Sequence, residues 1–101
     1  MKITENKIQI PKTARYYTNS PGASDVKTLW IVLHGYGSLA ENFLKEFEFI
    51  ADDNTLIAAP EALSRFYSRN LIGASWMTKE DRENEINDYL LYLDLNQSIF
   101  F

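Results

Sequence analysis

Cysteine is absent from the 101-residue chain, and histidine occurs once, at His34. Without cysteine there is no disulfide scaffold, no iron–sulfur or zinc–thiolate site and no thiol nucleophile. One histidine excludes a multi-histidine metal cage, so no metal and no cofactor are expected. Long hydrophobic runs are also missing. The longest strongly apolar run, Leu29 to Leu33, falls far short of the ~20 residues that span a bilayer. The opening MKITENKIQI lacks the apolar stretch of a secretory signal, which makes the cytoplasm the expected location. Positive charge is in deficit, with 10 Lys and Arg against 14 Asp and Glu. A net charge of −4 offers nothing to a nucleic-acid backbone.

What is present reads as one globular α/β domain over residues 1–101. The chain is 46% hydrophobic and 14% aromatic, enough apolar surface to exclude wholesale disorder. The negative charge is concentrated. Six acids (Glu80, Asp81, Glu83, Glu85, Asp88, Asp94) and two bases (Lys79, Arg82) account for all of it. A solvated helix face is the expected reading of that block, with an acidic docking surface for a basic partner as the alternative.

Along the chain, Lys7–Ile10 and Ala14–Thr18 read as short strands turned by Pro11-Lys12-Thr13, and Asn19–Lys27 as a polar loop. The apolar run Leu29–Leu33 reads as a strand buried on both faces, as in a parallel sheet. A helix follows, with Ser38 and Glu41 spaced as a capping box and Phe43, Leu44, Phe47, Ile50 and Ala51 as its buried face. Asp52, Asp53 and Asn54 end it. Thr55–Ala59 forms a second short strand closed by Pro60. Glu61–Met77 has no clear period and reads as a long loop. A second helix starts at Thr78, with Asp81 as its capping partner, and buries Ile86, Tyr89, Leu90 and Leu93; its pattern frays at Asn96. Strand, helix, strand in this order implies a right-handed βαβ unit.

The segment His34-Gly35-Tyr36-Gly37-Ser38 lies between the first buried strand and the first helix. Open α/β sheets bind ligands at that edge. Two glycines permit a sharp turn, which can leave the Tyr36 N–H aimed into the crevice as an oxyanion donor. The segment is neither G-x-G-x-x-G nor a phosphate loop. On the residues alone, a tight turn without chemistry fits equally well.

LWIVLHGYG, the strand Thr55–Ala59 with Pro60, and Gly73-Ala74-Ser75-Trp76 before an acidic helix together resemble the α/β-hydrolase superfamily. Within it the resemblance is to the phospholipase/carboxylesterase branch of serine esterases, and it covers the N-terminal half of a domain of that family. It implies that Tyr36 supplies an oxyanion-hole N–H, that Gly35 and Gly37 shape the turn, that His34 braces it and that Trp76 lies near the substrate cleft. Arg65 to Arg69 is a stretch able to meet an anionic group of the substrate, although plain surface solvation is the commoner role of such arginines.

The superfamily's G-x-S-x-G elbow has no counterpart, because no two of Gly22, Gly35, Gly37 and Gly73 stand at its spacing. Ser75 lacks the strand–turn–helix context of a nucleophile, and His34 lies too early for the order Ser, acid, His. The chain is therefore expected to be the N-terminal part of an ester hydrolase, truncated before the nucleophile strand and inactive alone. It is further expected to expose the edge of the Leu29–Leu33 strand and to self-associate there. The alternative is a non-catalytic α/β module that binds a protein through that edge or through its acidic helix.

Overall fold

The six residues TLIAAP carry no charge and two consecutive alanines, a combination suited to close packing on both faces. They form the centre of the molecule. The structure, a computed structural model, describes residues 1–19, 26–68, 71–76 and 82–100. Strand β1 is Tyr16–Thr18, β2 is Thr28–Ile31, helix α1 is Ala40–Lys45, β3 is Thr55–Pro60, β4 is Ser64–Ser68, β5 is Leu71–Ser75 and helix α2 is Arg82–Phe100. A 3₁₀ turn at Glu48–Ile50 carries the chain from α1 toward β3. These elements make a small α/β fold with a mixed three-stranded sheet in the order β1-β3-β2 and a two-stranded sheet of β4 and β5.

In the larger sheet β1 runs antiparallel to β3, with Tyr16 opposite Pro60 and Thr18 opposite Ala58. β2 runs parallel to β3, with Thr28 beside Thr55 and Ile31 beside Ala58. The parallel pair is joined through α1, as a crossover connection requires. Val32, Ala40, Ile57 and Ala59 form the core, and Tyr17, Phe43, Leu44, Phe47 and Ile50 pack on it. Ile57 and Pro60 are fully buried. Burying an isoleucine side chain is worth ~1.5–3 kcal/mol.

Several expectations need correction. The strand buried on both faces is β3, whereas β2 is an edge strand whose Trp30 is 49% exposed and which is followed by Leu33 at 48%. Thr28 and Trp30 are exposed while Leu29 and Ile31 are half-buried, so one face of β2 is left uncovered. No strand forms at Lys7–Ile10, where the chain is irregular and exposed. The stretch Glu61–Met77 holds the antiparallel hairpin β4–β5, with Phe66 opposite Gly73. Ser38 makes no cap: the N-cap is Leu39, without a side-chain hydrogen bond. α1 ends at Lys45, and Ala51 is exposed rather than buried. In α2 the inward side carries Tyr89, Tyr92, Leu93 and a buried Asn96, while Leu90 is 51% exposed. α2 does not fray at Asn96 but runs on to Phe100. The proposed cap residues Thr78 and Asp81 lie outside the described residues.

Asn19, read from sequence as the start of a loop, extends the β1–β3 ladder instead. Its backbone N–H donates to the Ile57 carbonyl, its Nδ2 donates to the Thr55 carbonyl at 2.9 Å, and its Oδ1 accepts from the Ile57 N–H at 2.7 Å. At the other end of the crossover, the Asp52 carboxylate accepts from the Asn54 N–H and the Thr55 hydroxyl. Those two bonds, the hydroxyl first, lower the Asp52 pKa from its ordinary value. They turn the chain into β3 as an Asx turn does.

Candidate functional site

The His34–Ser38 turn follows β2 at its carboxyl end, and three sets of contacts hold it. The first is made by the imidazole of His34, which is buried. Its Nε2 accepts a hydrogen bond from the Ala62 N–H at 2.9 Å, which leaves Nδ1 to donate to the Gly35 carbonyl at 2.8 Å. A backbone N–H can only donate, so this arrangement assigns the tautomer with the proton on Nδ1. Both ring nitrogens are engaged within the protein.

The second set comes from Trp76. Its indole N–H donates to the His34 carbonyl at 2.9 Å, and its ring lies against the His34 ring at a centroid distance of 5.4 Å. Tyr89 meets the same indole edge-on and Tyr92 stacks on it. The aromatic cluster thus links the turn to α2.

The third set comes from β5. The Gly37 N–H donates to the Ala74 carbonyl at 2.9 Å, and the Ala74 N–H donates to the Ser38 carbonyl at 3.2 Å. Gly37 has φ +77°, a left-handed conformation that glycine adopts without strain. Gly73 allows the close approach: a β-carbon there would stand 2.6 Å from the Gly37 carbonyl oxygen. Gly35, by contrast, has open space around it.

Within this scaffold the Ser38 N–H closes the turn on the Gly35 carbonyl. Among the described residues no acceptor meets the Tyr36 N–H. The Tyr36 side chain is 79% exposed, with its ring stacked on Phe66 at 5.3 Å. The Tyr36 N–H is therefore left without a protein partner among these residues, as are the His34 and Gly35 N–H groups, in a turn held by bonds to Ala62, Trp76 and β5.

Behind the turn lies a residue that pattern reading did not single out. Glu61, directly after β3, is only 3% exposed. Its Oε2 meets the Arg65 Nε at 2.7 Å, and its Oε1 accepts from the Ala40 N–H at 3.4 Å. The carboxylate holds the Arg65 guanidinium above its ordinary pKa. The signal was present as an acid four residues before an arginine, but the spacing belongs to a helix and here occurs across the entry to β4. Arg69 lies outside the described residues. Ser75 is buried in β5, not at an elbow.

The structure thus brings His34, Gly35, Tyr36, Gly37 and Trp76 together in one network. Among the described residues, no group of three or more His, Cys, Asp or Glu side chains converges as a metal site, and no helix is long and apolar enough to cross a membrane. No protein-family model, curated protein or solved structure matches the chain at a significant level.

Proposed function

We propose that this chain is the oxyanion-hole-bearing N-terminal part of a serine carboxylic-ester hydrolase of esterase, phospholipase or thioesterase type. One observation carries this reading: the unpartnered Tyr36 N–H at the carboxyl end of β2. A donor fixed in that way stabilises the negative charge that develops on an ester carbonyl oxygen during attack, without reorganising at that moment. Gly35 and Gly37 shape the turn, and His34 is a positioning residue that pins it to Ala62. Trp76 fixes the turn through the His34 carbonyl; in this reading it also borders the pocket for the acyl or leaving group.

The nucleophile, the acid and the base must come from other residues than these. A histidine with Nε2 accepting from a backbone N–H has no lone pair left for a serine proton, so the chain alone is expected not to turn over esters. Co-expression with the C-terminal half of a phospholipase/carboxylesterase-type hydrolase, assayed on short-chain p-nitrophenyl esters, tests the reading. Restored turnover supports it. Tyr36→Pro, which deletes the amide hydrogen, then lowers kcat by ~10²–10³. Turnover unaffected by that substitution refutes the role of Tyr36.

A second reading, a protein-binding α/β module, draws on the flank of β2. The Thr28 and Val32 N–H groups donate to Asn54 and Ala58 carbonyls on the β3 side. By alternation, the backbone groups of Leu29, Ile31 and Leu33 face away from β3. A neutral, apolar edge of this kind accepts another strand, a second copy of the chain included. Light scattering over a concentration series decides. Reversible growth in mass supports this reading, and a monodisperse monomer at high concentration refutes self-pairing.

A further inference from the structure

We propose that the cavity between the Lys12–Arg15 segment and the Glu61–Arg65 segment is a binding site for a small phosphate-type oxyanion. The cavity measures about 230 Å³ and is lined by Lys12, Thr13, Ala14, Arg15, Glu61, Ala62, Leu63 and Arg65. Three of these side chains are cations, in a chain whose net charge is −4. The one carboxylate, Glu61, is buried and neutralised by Arg65 at 2.7 Å. Among the described residues, Lys12 and Arg15 meet no carboxylate of their own. The lining therefore carries an excess of two positive charges, which suits a dianion.

Hydrogen bonds to the backbone anchor the cavity at Arg15 and at Ala62. The Arg15 carbonyl accepts both the Glu61 N–H at 2.8 Å and the Tyr92 hydroxyl at 2.6 Å. These bonds tie Arg15, the last residue of the cationic segment, to the end of β3 and to α2. The Ala62 N–H is bound to His34, which fixes the opposite wall to the turn. Arg65 is oriented through its Nε by Glu61, an arrangement that limits the entropy lost when its remaining N–H groups engage a ligand. The cavity lies at the carboxyl end of β3, the edge where open α/β sheets take their ligands. Its volume admits a phosphate ion or the phosphate end of a small monoester.

This inference stands apart from the ester-hydrolysis reading, since it uses neither Tyr36 nor any turnover. Isothermal titration of the 101-residue chain with inorganic phosphate, at an ionic strength held constant with sodium chloride, tests it. Saturable binding of one phosphate per chain is expected. Arg15→Ala weakens it about tenfold or more, the loss of one charge-assisted contact. Lys12→Ala weakens it to a smaller degree, and Lys45→Ala, on α1 outside the cavity, leaves it unchanged. A parallel titration with glycerol phosphate separates two sources of the group. Tighter binding than inorganic phosphate assigns the site to phosphomonoesters, and equal binding assigns it to the free ion. Heats that do not saturate, or equal weakening by Lys45→Ala, overturn the proposal. Arg15→Ala keeps the backbone carbonyl that anchors the segment, and an unchanged Tm for that variant shows that the binding loss is not unfolding.

Discussion

Strand β2 meets two different fates at its carboxyl end and along its flank. At the end, the chain bends through His34–Ser38, and the bend is held at several points by β5, Ala62 and Trp76. Along the flank, the backbone groups of Leu29, Ile31 and Leu33 face away from β3 by alternation, and β2 has no second neighbour strand among the described residues. The contrast separates two kinds of unpaired amide. The Tyr36 N–H lies in a short bend anchored by the Gly37–Ala74 and His34–Ala62 bonds, the arrangement of a pre-organised donor for a small ligand. The row on β2 is repetitive, neutral and open, the arrangement of a template for another strand. A substitution that perturbs one region and spares the other tests whether they are independent.

The largest effect is expected at the clamp between the bend and β5. Gly73→Val places a β-carbon 2.6 Å from the Gly37 carbonyl oxygen. The obstructing atom is backbone, so neither partner yields without breaking the Gly37–Ala74 bond. Destabilisation by ~3 kcal/mol or more is expected, read as a fall in the urea midpoint. Trp76→Phe removes the indole N–H from the His34 carbonyl while keeping an aromatic ring, with an expected cost of ~1–2 kcal/mol. A Gly73→Val variant as stable as the parent would show that the bend is not held by β5.

These contacts explain which parts of the fold were legible in the residues. Thr55–Pro60 announces itself through apolar continuity, and the helix after the bend through Phe43 and Leu44; Phe47, at the same helical spacing, lies past the helix end at Lys45 but still packs on the core. The hairpin is hidden. SRFYS and LIGAS mix serine, arginine and aromatic residues without a clean two-residue alternation, because β4 and β5 form a sheet of only two strands with Tyr67 and Leu71 exposed. The failed capping box has a similar origin. Ser38 has its N–H on Gly35 and its carbonyl on Ala74, so tertiary bonds fix it in the bend and α1 starts after Leu39. The HGYG turn was visible as two closely spaced glycines, but nothing local marks Gly73 as its partner. Glu61 and Asn19 act across 21 and 38 residues respectively, and no periodicity carries information over such distances.

A smaller effect is expected from Tyr92, which joins α2 to the segment before β1. Burial first of all raises its pKa to about 12, against an ordinary 10.0. The folded state therefore favours the neutral phenol. Its contribution is fully present below pH ~10 and is lost as pH rises through ~12. Half of the side chain is near solvent, so the loss is discounted to about 1 kcal/mol or less. Unfolding measured from pH 9 to pH 12 would show the decline in the parent. Tyr92→Phe would flatten it. An unchanged slope in Tyr92→Phe would place the alkaline sensitivity elsewhere.

The smallest effect on stability is expected on the flank, where the consequence for association is greatest. Leu33 is 48% exposed, so Leu33→Lys removes little buried area and shifts the urea midpoint by the equivalent of ~0.5 kcal/mol or less. The charge nevertheless falls on the row of groups that faces away from β3, and an ammonium there opposes the approach of a second strand. If chains pair through β2, sedimentation equilibrium shows the parent associating and Leu33→Lys monomeric at the same concentration. If association persists in Leu33→Lys, the flank is not the contact. The exposed Leu90, Leu91 and Leu95 of α2 then become the surface to substitute next, because they cluster on one regular element. A monomeric parent would instead show that an edge strand of four residues is too short to hold a partner, however well its backbone groups are oriented.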